Sequence, residues 1–447
     1  MDQAASMASW TPTTTATSTS LKSVATTAES ALRSSLSRAI SSLTVHVSTL
    51  GWNEYGDVSK ALRGAQASLS IISAEQVLAT ATAESVKAEA TEVIWYSTQN
   101  LDALAWDENM YHIRHLTRAG NIFFLVAFAI TLVWYSGIFI KSRYWWFNIA
   151  FFCGVVLEFL GFLGRVLSFS DMSSFVYYVM QMVTLTIAPA FIMGGIYFLL
   201  GQLVIIHGRQ FSVLKPLWYA YIFIACDIVS LFIQAAGGGA ASAATSGKSS
   251  PEGGTNTMIA GIAFQAFSMS VYVSLWFYFI WKIYFPKTSR YDLSEKENSQ
   301  MLKPGLKNFL KLFFNTKSSA EYKETLLEPF YNPKYSDIRQ RPLYNYFPLA
   351  VTCAIIAIFI RCIYRVVELA QGFRGYLITH EVYIMCLDAT MMVIAIYIFI
   401  PFHPYIVFGS SNVIRLADIK ANAVEEVDKE EEVHLKNVDN NTVKSWS

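Results

Sequence analysis

Asp227 lies near the middle of the apolar run from Trp218 to Gly239, and Gln234 follows it by seven residues. Two helical turns separate the pair, so both project from one helix face. A carboxylate at membrane depth costs roughly 2.5 to 3.5 kcal/mol on the insertion scale, so it is kept where it meets a partner or lines a water-filled cavity. The chemistry open to such a group is neutralisation of an amine-bearing headgroup.

Other polar groups interrupt the remaining apolar runs. Glu158 and Arg165 are seven residues apart, and Gln181 and Gln265 lie in the third and fifth runs. Arg361, Arg365 and Glu368 share a face at i, i+4 and i+7, and Glu381 precedes Asp388 by seven. One reading is a set of interhelical ion pairs that fix packing, which suits Arg165, Arg361, Arg365 and Glu368 best. The other is a hydrophilic path for a lipid headgroup, formed by Asp227, Gln234, Glu158, Gln181, Gln265, Glu381 and Asp388. An eighteen-carbon chain gains about 14 kcal/mol from the bilayer at roughly 0.8 kcal/mol per methylene, so sliding the head through a groove is far easier than lifting the lipid into water.

The elements that must position these groups are membrane helices. Hydrophobic residues make up 53% of the 447, with 15% aromatic, which does not describe a soluble protein. Seven blocks approach or exceed spanning length: about 119–140, 144–167, 174–205, 216–237, 257–281, 346–370 and 380–403. Trp218, Trp276, Trp281, Tyr197 and Tyr405 fall where interfacial aromatic belts are expected. The net charge of +1 is uninformative, but Lys141, Arg143, Arg209, Lys215 and the basic segment Lys282 to Arg341 follow the odd-numbered spans, whereas the other loops hold Lys248 and Arg374. This asymmetry predicts an extracellular N-terminus and a cytoplasmic C-terminus. All five cysteines fall inside predicted helices and imply no disulfide framework or metal cluster.

Three regions follow: an outer tail over 1–118, an all-α bundle of seven transmembrane helices over 119–408, and an acidic disordered tail over 409–447. The outer tail opens on a Thr/Ser tract and contains Val58, Leu62, Ala65, Leu69 and Ile72 at amphipathic spacing, which predicts a small helical hairpin or stalk. It carries no apolar signal-peptide core and no glycosylation sequon. Pro189 in the third span predicts a kink, and Gly194 and Gly195 permit close helix approach. The fourth span is expected to end at Gly237-Gly238-Gly239 and open into a loop. There Gly247-Lys248-Ser249 only resembles the end of a phosphate-binding loop, because Ser242 stands where its first glycine belongs. In the long internal loop, 282–345, Leu302, Leu306, Phe309, Leu310 and Phe313 form one face and Lys303, Lys307 and Lys311 another. That pattern predicts a helix lying in the anionic cytoplasmic interface, with a loop packed on the bundle as the alternative.

Several stretches, in order and at matching spans, carry a resemblance. They are Leu157-Glu158-Phe159-Leu160-Gly161 with Gly164-Arg165, Leu185-Thr186-Ile187-Ala188-Pro189 with Gly194-Gly195-Ile196-Tyr197, and Cys226-Asp227-Ile228-Val229-Ser230-Leu231 with Gln234-Ala235-Ala236-Gly237-Gly238-Gly239. Arg361-Cys362-Ile363-Tyr364-Arg365 with Glu368-Leu369, and Gly375-Tyr376-Leu377-Ile378-Thr379-His380-Glu381 with Asp388, complete the set. Over most of 119–408 the chain resembles the fungal lipid-translocating exporters, particularly those that confer resistance to sphingoid long-chain bases. The resemblance implies a plasma-membrane protein that moves or promotes release of dihydrosphingosine and phytosphingosine. Membrane lipids are the expected partners, and no nucleic acid, cofactor or catalytic residue is expected. The long, sequon-free outer tail departs from that pattern.

Two other classes compete with transport. A seven-helix lipid sensor or regulator of lipid asymmetry shares the topology, but span three ends in His207-Gly208-Arg209 rather than the acidic-Arg-aromatic signature of G-protein-coupled receptors. A zinc hydrolase would draw on His112, His115 and His380, although lone histidines near helix ends are ordinarily interfacial. No metal is expected.

Overall fold

The computed structural model describes residues 20–45, 52–108, 111, 113, 116–246, 252–286, 304–316, 319, 322–372 and 375–409. The Thr/Ser tract, His112, His115, Lys248 and the acidic C-terminal tail lie outside the described residues. The described chain is all-α and divides into two compact units.

The first unit comprises Met1–Leu116, Ser168–Tyr178 and Gln234–Met258. Its N-terminal part holds three helices rather than a hairpin: α1 (Glu29–Val45), α2 (Trp52–Thr80) and α3 (Glu84–Glu108). The apolar stripe on α2 is the reason. Leu62, Ala65 and Ile72 are buried, and Ile71 and Ala74 pack with Ala90 and Ile94 of α3 while Leu62 packs with Ala39 and Leu43 of α1. Short and Ala-rich, these side chains let three helices meet closely without a large core.

The second unit comprises Thr117–Leu167, Val179–Ile233 and Ile259–Ser447. Most of the apolar helices run through it: α4 (Arg118–Lys141), α5 (Trp145–Leu167), α6 (Phe175–His207), α7 (Pro216–Ser246), α8 (Glu252–Tyr284) and α10 (Phe347–Ala370). Among the described residues six helices are long and apolar enough to cross a membrane, and the chain is a multi-pass membrane protein. Exposed Phe123, Val126, Ile130 and Val133 on one side of α4 need an apolar solvent, whereas Phe124, Phe128, Thr131 and Tyr135 are buried.

After α10 the chain forms α11 (Glu381–Tyr383), a π-helical turn (Ile384–Ala389) and α12 (Thr390–Tyr397), which pack against α10 and α4. This interrupted segment occupies the seventh apolar block and does not count among the six long helices.

Several expectations are corrected. α7 continues past Gly237-Gly238-Gly239 to Ser246. The glycines serve close approach here: a Cβ on Gly237 would stand 2.5 Å from the Met258 nitrogen, and one on Gly254 would stand 2.3 Å from the Ala241 nitrogen. The Ala-rich continuation has high helix propensity and carries the helix onward. Trp276 and Tyr197 are buried rather than interfacial, and Trp276 donates Nε1–H to Thr352 Oγ1 at 2.8 Å; Trp218 and Trp281 are exposed. α9 (Leu306–Phe313) turns Phe309, Leu312 and Phe313 inward, with Phe309 stacked on Trp281, while Leu306 and Leu310 face outward. Its inner stripe is therefore 309/312/313, offset from the face that counts Leu306 and Leu310.

Candidate functional site

The charged residues that interrupt the apolar helices of the second unit fall into two buried charge networks and one isolated carboxylate. α5 brings Arg165 to the start of α4 and to Glu381 at the start of α11. Arg165 donates Nε–H to Asn121 Oδ1 at 2.6 Å and Nη1–H to Gln181 Oε1 at 3.1 Å, and its Nη2 pairs with Glu381 Oε1. Asn121 Nδ2 also donates to Glu381 at 3.2 Å, and the Thr117 backbone N–H meets the other carboxylate oxygen. Every polar arm of this cluster has a partner, which satisfies the condition for keeping a charge pair out of water.

The second network runs across α5, α10 and the π turn. Arg361 donates Nη1–H to Glu158 Oε1 at 2.6 Å and places Nε 2.5 Å from Asp388 Oδ1. Arg365 pairs with the other oxygen of Asp388 and with Glu368 at 2.9 Å, and the Tyr364 hydroxyl donates to Glu368 at 2.8 Å. Glu158, Asp388 and Glu368 thus share two guanidinium groups. The helix spacing that puts Arg361, Arg365 and Glu368 on one face makes this chain of pairs possible. Glu158 and Arg165, two turns apart on α5, serve different networks.

Local backbone chemistry completes the second network. Pro189 sits inside α6 and lacks the N–H that would bond the carbonyl four residues earlier, at Leu185. Arg361 Nη2 donates to that oxygen. Glycines bring α5 against this part of α6: a Cβ on Gly161 would stand 2.4 Å from Leu185 Cδ2, and one on Gly154 would stand 2.5 Å from Ile192 Cγ1. Gly195 admits the Phe151 ring in the same way, whereas Gly194 has only ordinary contact with Ile224.

Asp227 stands apart. It is buried on α7, accepts a hydrogen bond from the Tyr197 hydroxyl of α6 at 3.1 Å, and has no cationic partner among the described residues. The Tyr197 ring is fixed by edge contact with Tyr272, 4.6 Å between centroids, and by Phe223. Gln234, on the same helix, is buried in the first unit, and Gln265 is half-buried on α8.

The structure therefore brings Glu158, Gln181, Glu381 and Asp388 to arginines and leaves Asp227 with a phenol. Asn121, Thr117 and Tyr197 were missed by sequence reasoning, because an Asn, a Thr and a Tyr near helix ends or in apolar runs carry no distinctive spacing. No group of His, Cys, Asp and Glu with metal-holding geometry occurs among the described residues.

The family model described as RTA1 like protein matches residues 151–411. The chain is 40% identical over 270 residues to the sphingoid long-chain base transporter RSB1 of Saccharomyces cerevisiae, a match covering 60% of this chain and 66% of the relative. Protoporphyrin uptake protein 1 of the same organism is 28% identical over 252 residues, covering 56% of this chain and 66% of the relative. Protein RTM1 from Saccharomyces cerevisiae is 26% identical over 253 residues, covering 56% and 65%. The chain thus spans about two thirds of the length of these curated relatives. No solved structure matches. The family match takes in five of the apolar helices and all of the carboxylates described above, and the chain belongs to the RTA1-like protein family.

Proposed function

We propose that this chain translocates sphingoid long-chain bases across the plasma membrane toward the outside, with Asp227 as counter-ion to the lipid ammonium. The observation that carries the reading is the contrast between carboxylates. Glu158, Glu368, Glu381 and Asp388 each have an arginine, and Asp227 has the Tyr197 hydroxyl and no cation among the described residues. A buried carboxylate with that environment is stabilised by a passing ammonium. The name of the relative RSB1 supports the choice of amine-bearing lipid.

In this reading the interrupted helix from Glu381 to Tyr397 is a seventh span, and the lysines and arginines after the first, third and fifth spans hold the C-terminus in the cytoplasm. The two arginine networks fix the helices around the path, and Gln234 and Gln265 supply further polar positions along it. The lipid chain stays in the bilayer throughout.

The test is reconstitution of the purified protein in liposomes with a fluorescent sphingoid base, a matched neutral ceramide and the Asp227→Asn variant. Protein-dependent movement of the amine, absent for ceramide and lost in the variant, is the expected result. Movement of the amine at equal rates in variant and wild type removes Asp227 from the mechanism, and no movement above empty liposomes, with or without an imposed ion gradient, removes direct transport.

A further inference from the structure

A further polar site lies where α6 and α8 end and α10 begins. A cavity of about 330 Å³ opens there, and its lining includes His207, Tyr284, Lys323, Glu328, Arg339 and Tyr344. The volume is within the range of small-ligand sites. The walls are built by capping. Gly208, at a φ of 116°, ends α6, and the three last carbonyls of that helix are then taken from outside: the Asn332 side chain reaches Ile205, Arg339 Nη1 donates to Ile206 at 2.6 Å, and the Asn332 backbone N–H donates to His207 at 3.2 Å.

Two bases and two acids line the cavity, Lys323 and Arg339 with Glu324 and Glu328, but they are not all paired. Arg339 spends Nε and Nη2 on Glu328, at 3.1 and 2.6 Å, and Nη1 on backbone carbonyls. Glu324, the other acid at the cavity, is exposed to solvent. Lys323 is left with Asn315 Oδ1 at 3.1 Å and the face of the Tyr284 ring at 5.3 Å, and no carboxylate pairs with it among the described residues. The Tyr284 hydroxyl is buried and has no hydrogen-bond partner among the described residues. Lys323, with no paired carboxylate, and Tyr284, with an unused hydroxyl, therefore both line a cavity large enough for a headgroup, beside Tyr344.

We infer that this cavity is a binding site for a phosphate group, carried either by a membrane phospholipid or by a small soluble phosphate, with Lys323 and Tyr284 as its principal donors. A phosphate offers several acceptor oxygens to converging donors and carries a negative charge for the Lys323 ammonium. This site is separate from Asp227, so its failure leaves the transport reading untouched.

The test uses the full chain, purified in neutral detergent, with three probes: inorganic phosphate, a short-chain phosphatidic acid and the matching diacylglycerol. Saturable binding of phosphatidic acid alone identifies a lipid source, and binding of inorganic phosphate as well identifies the phosphate group by itself as sufficient. In either case Lys323→Gln weakens binding by about tenfold or more, Lys323→Arg restores most of it, and Tyr284→Phe weakens it by a smaller factor. Thermal unfolding of each variant confirms that it is folded. If Lys323→Gln does not fold, Tyr284→Phe and Lys323→Arg carry the test. Equal binding of diacylglycerol and phosphatidic acid, no saturable binding of either phosphate, or full binding in Lys323→Gln overturns the inference.

Discussion

Arg361 donates to the carbonyl of Leu185, the oxygen left without a helical partner because Pro189, four residues on, has no N–H. The proline thus creates an acceptor in the interior of the bundle, and a guanidinium that also holds Glu158 and Asp388 uses it. Replacing Arg361 with Met would leave two buried carboxylates and one carbonyl short of donors. We expect a loss of about 3–5 kcal/mol in stability, the usual cost of breaking a buried pair from one side. Thermal unfolding in detergent measures it, and a Tm within one or two degrees of wild type would exclude the role.

The proline and the arginine should be coupled. Pro189→Ala supplies an N–H for Leu185, so the double variant Pro189→Ala/Arg361→Met should be about 1 kcal/mol less damaged than the sum of the single changes. A double-mutant cycle on unfolding midpoints reads this term. Strict additivity would mean that Arg361 contributes nothing through that carbonyl.

Asp227→Asn should lower sphingoid-base transport by more than about tenfold, which corresponds to about 1.4 kcal/mol. Surface expression should be retained, because the amide can still accept from Tyr197. Tyr197→Phe is the companion variant. It removes one donor from Asp227 without removing the charge, and the expected loss is smaller.

Helix approach can be tested at glycine. Gly161→Ala places a methyl 2.4 Å from Leu185 Cδ2 and should cost about 1–3 kcal/mol through overpacking. Gly137→Ala on α4, where nothing lies within 4 Å, should be neutral or stabilising by up to about 1 kcal/mol from helix propensity. Equal midpoints for the two variants would count against tight α5–α6 packing at Gly161.

Lys323 gives a pH signature. Burial holds its ammonium down to about 8 from the ordinary 10.5. Between those values the unfolded chain keeps a proton that the folded chain has released, so this group makes stability rise with pH across that window. The difference in unfolding midpoint between wild type and Lys323→Gln should therefore grow in favour of wild type from pH 8 to pH 10. Parallel pH profiles would show that Lys323 is solvated.

The helices were legible because apolar runs of spanning length have few other uses; the expected span 144–167 and the observed Trp145–Leu167 differ by one residue. The glycine triplet misled because a glycine that admits a neighbouring backbone has the same sequence signature as one that ends a helix. The pairing of Glu381 and Asp388 was also illegible. They are seven residues apart, yet the π turn between them adds a residue to the helical register, and they join different arginines. The set of polar residues could be read from the chain, but their partners depend on which helices are neighbours, and spacing within one helix does not encode that.

One helix touches nearly everything discussed. α6, 33 residues and so about 50 Å long, carries Gln181 toward Arg165, Leu185 beneath Arg361, Tyr197 against Asp227, and His207 at the wall of the phosphate cavity. Pro189 divides this rod into two arms. The arm before it is tied to both arginine networks, and the arm after it holds Asp227's only described donor and one end of the cavity. A bend at the proline would move Tyr197 and His207 together while the residues before it stay anchored to the arginine networks.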